Sequence, residues 1–320
     1  MAVLDGDEYQ LAQVFSAYLR DLATRAGEAH CKRVRAVFDR ITGSNDPPVS
    51  GLRPVWFADW RARRLAEGIS RSTANKEAGY VRGALEWARE MHMVVLNPAA
   101  CLRPLPVREC DRRRLRRALT DEELTRLLRA AKARDQQRPG VPQHPTWLLL
   151  AQTGARRGEA CAVRWCDVDL VSLHLTFRAE CAKSGRSRVV PIDESLAGEL
   201  IRLRRLQEYT TGRAPGGDDQ VLLSPAGRPW MANPDNLGRL FGRLLGLAKI
   251  ERVDHRGRGV SVHALRHTFI TRLIRAGVQP VVVQQLAGHA DVQTTLGFYT
   301  HTVEKDLRDG IRALHLEVAG

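Results

Sequence analysis

Lysine is scarce in this 320-residue chain, with six lysines set against forty-four arginines and a net charge of +14. Long apolar runs are missing as well. The longest, such as Trp147-Leu148-Leu149-Leu150-Ala151, falls far short of the twenty or so residues needed to span a bilayer. Residues Met1 to Gln10 carry acids and lack the basic-then-apolar order of a secretory signal, so a cytoplasmic protein without membrane contact is expected. The six cysteines (Cys31, Cys101, Cys110, Cys161, Cys166 and Cys181) form no Cys-x-x-Cys pair, which argues against a zinc knuckle or a disulfide framework. They read as free thiols, with Cys161 and Cys166 as small packing residues on one helix. No low-complexity tract and no internal repeat is present. The length allows two ordinary domains. Excess positive charge favours a polyanion, because neutralising phosphates releases counterions. The arginine bias also suits GC-rich coding, so on charge alone a solvated basic surface explains the balance equally well.

Residues 7–96 read as helical throughout, with Leu11, Val14, Phe15, Tyr18, Leu19 and Leu22 at helical spacing. A further helix opens at Ser72, whose hydroxyl can cap it, and runs to Met93 before Asn97-Pro98 stops it. From Pro98 the character changes. Pro104 and Pro106 precede Arg112, Arg113, Arg114, Arg116 and Arg117, an extended basic linker that either tracks a phosphate backbone or is a solvated tether. Thr120-Asp121-Glu122-Glu123 is a capping box for the next helix. Residues 173–178 alternate apolar and polar, and Arg188-Val189-Val190-Pro191-Ile192 follows a turn at 184–186. These predict a small antiparallel hairpin or three-stranded sheet. Helices follow near 193–209, 234–249, 263–276, 279–288 and 291–299, with a loop at 215–219.

Breaking a phosphodiester without a metal requires a nucleophile, neutralisation of the pentavalent phosphorus, and a proton for the leaving oxygen. Thr153-Gly154-Ala155-Arg156-Arg157-Gly158-Glu159 places a glycine turn before a short helix. Arg156 stands at its start, and Glu159 is one turn on to fix an arginine fork; an ordinary helix-start salt bridge would look the same. His263 and Arg266, three apart, share a helix face and pair an imidazole with a fork suited to phosphate oxygens. His263 and His267 are four apart, yet the glutamate of a zinc-binding H-E-x-x-H helix is missing. His289 follows Leu286-Ala287-Gly288, and Tyr299 lies ten residues on. A phenol needs positive neighbours to attack at neutral pH, and a lone tyrosine on such a helix is as readily a core residue. Lys183 sits at the hairpin tip in a chain that otherwise uses arginine. An ammonium can donate a proton, whereas a guanidinium effectively cannot.

Together these segments resemble the tyrosine recombinase (phage integrase) family over about residues 70–302. Residues 153–159 are similar to its first arginine box, and 182–192 to its lysine hairpin. Residues 263–268 are similar to its H-x-x-R box, and 286–289 with 298–301 to its last histidine and nucleophilic tyrosine. Arg157, at a usually apolar place, and Ala287, at a common leucine, depart from the pattern. The resemblance implies a mainly α fold with a small antiparallel β-sheet in the C-terminal domain. It also implies a two-domain C-clamp: a helical core-binding domain (1–103), a basic linker (104–118) and a catalytic domain (119–320) ending in an exchange helix. By the same resemblance Arg156 and Arg266 clamp the scissile phosphate, and His289 helps hold it. Lys183 protonates the 5′ oxygen, His263 is a general acid or base, and Tyr299 forms a 3′-phosphotyrosyl intermediate. Arg71, Lys76, Arg116 and Arg117 are expected to touch DNA. The partners implied are double-stranded DNA bearing a specific recombination site and further copies of the chain, as a tetramer in the synaptic complex. No metal and no cofactor is expected. A type IB topoisomerase, a non-cutting DNA binder and a metal hydrolase are the rival readings.

Overall fold

The computed structural model describes residues 9–43, 46–108, 111, 115–137, 140–181, 185–230 and 235–289, together with 291, 293, 295 and 296. The chain divides into two units, Met1–Arg113 and Arg114–Gly320.

The first unit is built from α1 (Leu11–Arg25), α2 (Glu28–Thr42), α3 (Pro54–Ala66) and α4 (Arg71–Glu90). Helix does not run unbroken over 7–96: Gly27 sits between α1 and α2, and a segment with a 3₁₀ turn at Val49–Gly51 separates α2 from α3. The apolar stripe read in α1 is buried, with Leu11, Val14, Phe15, Leu19 and Leu22 inward. Phe15 stacks flat on Phe38 of α2 with ring centroids 3.9 Å apart. The cap of α4 is Ser70, not Ser72; its hydroxyl accepts from the Thr73 amide at 3.2 Å. Part of the expected linker is strapped to this unit. Asn75 exchanges two hydrogen bonds with the backbone of Leu105 (2.9 and 2.8 Å), and Arg61 donates to the Arg103 carbonyl at 2.7 Å.

In the second unit, β1 (Leu115–Arg116) pairs in parallel with β5 (Arg258–Gly259). Residues 115–117 therefore belong to this unit's fold, because their backbone finds partners there rather than in solvent. Then come α5 (Asp121–Gln137), α6 (His144–Thr153) and α7 (Arg157–Cys161). The Thr120–Glu123 box caps α5 reciprocally at 3.2 and 3.0 Å. Every residue of α6 from Pro145 to Ala151 is buried, as a helix apolar all round must be, and α5 and the later helices Glu194–Thr211 and His263–Arg275 pack around it.

An antiparallel sheet of β2 (Val168–Asp169), β3 (His174–Phe177) and β4 (Arg188–Pro191) follows, with Leu175 opposite Val190 and Phe177 opposite Arg188. Last come α8 (Glu194–Thr211), α9 (Asp235–Leu247), α10 (His263–Arg275) and α11 (Pro280–Ala287). Cys161 is buried as a packing residue, whereas Cys166 is exposed; it lies in a separate 3₁₀ turn, Trp165–Asp167, and not on the helix of Cys161. Among the described residues no helix is long and apolar enough to cross a membrane.

Candidate active site

The second unit brings three arginine-bearing segments around one carboxylate. Helix α6 ends at Gly154, which is left-handed (φ +59°). A Cβ there would lie 2.3 Å from the Phe269 ring of α10, so only glycine allows this approach. The chain then turns so that Arg156 precedes α7. Glu159, with its side chain 1% exposed, accepts from the Arg156 guanidinium at 2.7 Å and from the Arg156 amide at 2.8 Å. Its second oxygen also takes Nη2 of Arg188 from β4 at 2.7 Å. The other end of the Arg156 fork donates to the Gly288 carbonyl at 3.0 Å, at the close of α11.

Arg266 is buried on the first turn of α10 and donates from Nη1 to the Gly154 carbonyl at 2.8 Å. Its Nη2 is buried and has no hydrogen-bond partner among the described residues. His263 opens the same helix, with its ring edge-on to His267 at 5.1 Å. His289 follows the left-handed Gly288, and its Nδ1 is 2.8 Å from the hydroxyl of the buried Thr295.

These groups feel one another's charge. Burial, then Arg156 and Arg188, pull the Arg266 guanidinium down to about 9 despite Glu159. Burial raises the Glu159 carboxyl, but Arg188 and Arg156 override it and hold the group at about 2. His263, His267 and His289 are each lowered to about 4, by burial first and then by neighbouring positive groups. Among the described residues this cluster has one carboxylate against three guanidiniums and neutral imidazoles, which leaves it short of negative charge.

Residues 117–305 match the profile of the phage integrase family. The chain belongs to that family. It is a tyrosine-type site-specific recombinase, acting on DNA by the tyrosine mechanism. Tyrosine recombinase XerC of Corynebacterium glutamicum is 26% identical over 257 residues, 80% of this chain and 76% of that protein. Tyrosine recombinase XerD of Mycobacterium leprae is 32% identical over 237 residues, 72% of this chain and 69% of the relative. The fold resembles that of the Tn1549 transposon integrase in complex with transposon right end DNA, with a TM-score of 0.74 and 20% identity. That match spans 96% of this chain and 99% of the other.

Of the residues the integrase family pattern pointed to, the structure brings Arg156, His263, Arg266 and His289 within electrostatic reach of one another. Lys183 and Tyr299 lie outside the described residues, as do Arg112, Arg113 and Arg114, Cys110 and the tail expected as an exchange helix. Arg116 is exposed and lowers the pKa of both His263 and His267, which sets it beside this site. Arg117 is committed elsewhere: its side chain is 11% exposed and clasps Glu123 with both nitrogens, with Asp254 at 3.8 Å. That leaves it no free fork for a phosphate. In the first unit Lys76 is exposed, whereas Arg71 donates to the Pro106 carbonyl at 3.3 Å and lies 3.7 Å from Asp111. Arg157 is exposed, and Ala287 is fully buried.

Sequence reasoning missed Arg188 as a site residue. The signal was present: strand alternation puts Arg188 on the face of buried Val190, opposite to exposed Val189. A charge on a core face demands a buried partner.

Proposed function

We propose that this recombinase cleaves one strand at each half of a specific DNA site, with Arg156, Arg266 and His289 holding the scissile phosphate. The observation that carries the reading is the buried Nη2 of Arg266, which has no hydrogen-bond partner among the described residues and whose Nη1 is pinned to Gly154. An orphaned donor on a buried charge is costly unless a ligand completes it.

Tyr299 attacks phosphorus through its phenolic oxygen. The new bond runs from phosphorus to the tyrosine oxygen, and the bond to the 5′ oxygen breaks. His263 is neutral in the free protein, and an anionic phosphate in the site raises its basicity, so that it accepts the phenolic proton. Lys183 delivers a proton to the departing 5′ oxygen. The phosphotyrosyl bond keeps the energy of the broken ester, so a 5′ hydroxyl from a partner strand reverses the step without a cofactor.

Two duplexes carry four strands and each is cut once, so four copies of the chain are needed at synapsis. The helical first unit, with Lys76, and the catalytic unit, with Arg116 and the basic residues before it, each bind the duplex. The tail after Tyr299 docks on a neighbouring copy. The reaction takes place in the cytoplasm.

Incubation with suicide DNA substrates in EDTA tests the reading. A covalent adduct is expected and Tyr299→Phe abolishes it; an adduct that persists in that variant overturns the assignment. Lys183→Ala should slow cleavage by about 10²–10⁴-fold, the size of general-acid help. A 5′-thiolate leaving group should restore it, because sulfur departs without a proton.

A further inference from the structure

We infer that Arg188 is a positioning residue for cleavage: through Glu159 and the end of α11 it sets the Arg156 guanidinium and the His289 turn in one arrangement. The inference rests on the reading that Arg156 and His289 hold the scissile phosphate.

Four contacts fix this side chain, which is 8% exposed. Its guanidinium carbon lies 4.4 Å over the Phe177 ring, so the plane of the fork is set by its cross-strand neighbour. Nη2 binds Glu159 at 2.7 Å, and Nε donates to the Leu286 carbonyl at 3.1 Å. Gly288 fits so closely that a Cβ on it would come within 2.9 Å of Cδ and Nη1 of Arg188.

Arg156 makes a matching set. It binds the other Glu159 oxygen and the Gly288 carbonyl, two residues beyond the one Arg188 takes. The two arginines thus share one carboxylate and the C-terminal carbonyls of one helix, where positive charge is favoured. Glu159 and α11 cannot shift relative to each other without breaking a bond to one of them, and Arg156 and His289 ride on those elements.

The guanidinium also carries costs of its own here. Nη1 of Arg188 is buried without a partner among the described residues, and the Arg188 charge depresses Arg266 and His289. A methionine stem would fill the space over Phe177 without either cost, but it would leave the buried Glu159 carboxylate to Arg156 alone. What it lacks is the three-way fork, and a lysine ammonium lacks it too.

The test measures single-turnover cleavage of a suicide substrate, DNA affinity and thermal unfolding for wild type, Arg188→Lys, Arg188→Met, Glu159→Gln and the double variant R188K/E159Q. Arg188→Lys keeps the charge, so DNA affinity should stay within about threefold. Cleavage should fall about 10²-fold, the cost of a misplaced catalytic group. The double variant should lose less than the product of the two single losses, because the two residues share one of the contacts that fix Arg188.

Arg188→Met should add an acid limb to the rate. Glu159 faces Arg156 at the start of α7 and Arg266 on α10, with His289 after α11 and His263 and His267 along α10. Without Arg188, burial of the carboxyl is offset by Arg156 alone, and cleavage falls as pH drops through a pKa higher than in the wild type. Arg188→Lys should lack that limb.

Cleavage by Arg188→Lys within about threefold of wild type would reduce Arg188 to a charge balance, because a misplaced group costs far more. Rate losses that merely track the fraction unfolded would also overturn positioning. A wild-type protein that forms no adduct refutes the reading of the site, and the positioning role with it.

Discussion

Each unit buries one glutamate between two arginines, and the two clusters serve opposite ends. In the first unit Glu77, 5% exposed, accepts from Arg40 and from both ends of the Arg64 fork at 2.9 Å each. Arg64 also binds Glu67. The hydrogen bond to Glu77 raises the Arg64 guanidinium above its ordinary value: two carboxylates answer two cations. In the second unit Glu159 binds Arg156 and Arg188, and the third cation, Arg266, has no carboxylate bound to it among the described residues and falls to about 9. Both clusters centre on a buried glutamate held by arginines, and the charge balance differs. A balanced buried cluster joins elements, whereas one short of a negative charge is prepared for a ligand that brings it.

The comparison is broken most directly at Arg266. Arg266→Met should lose about 10³-fold or more in cleavage, the scale for removing a preorganised donor. The same change should leave stability unchanged or raise it by about 1 kcal/mol, because an uncompensated buried charge is gone. Single-turnover cleavage read beside urea unfolding checks both, and a large loss of stability would place Arg266 with the structural arginines.

Glu77→Ala should do the reverse. Removing one partner of a buried pair costs about 3 kcal/mol, seen as a lower unfolding midpoint, while the cleavage rate of the folded protein stays as in wild type. A specific loss of cleavage would make the first cluster part of the site.

Acid separates the clusters further. His263, His267 and His289 are held near 4 in the folded chain, against about 6.5 in an unfolded one. Between those values the unfolded chain binds more protons, so this contribution is complete above about 6.5 and is lost as pH falls toward about 4. Urea midpoints across that range should decline with acidity. They should decline less with cognate DNA bound, because a phosphate raises the imidazoles. A flat profile without DNA would show that the imidazoles are not held neutral.

The smallest effect is expected at Arg40, whose side chain is 46% exposed. Arg40→Gln should cost about 0.5–1 kcal/mol, as for a solvated ion pair, and leave cleavage alone.

Much of this site was legible as spacing along the chain. The glycine turn before Arg156, the Thr120–Glu123 box and the shared helix of His263 and Arg266 are local features, set by backbone conformation within a few residues. Spacing does not show which of several possible partners a side chain takes. Arg117 passed for a linker residue because Glu123 and Asp254 are joined to it only by folding. Ser72 passed for a cap because Ser70, two residues earlier, offers the same hydroxyl.

The sequence by itself determined the family, the helical character and the order of the chemical groups, since periodicity and short motifs survive without coordinates. Tertiary structure alone decided which arginines are spent on carboxylates and which is left wanting an anion. Arg188 and Glu159 stand twenty-nine residues apart, and Arg266 and Gly154 one hundred and twelve. A guanidinium's role depends on the charges within a few ångströms of it, and only the packing of α6, α10, α11 and β4 brings those charges together.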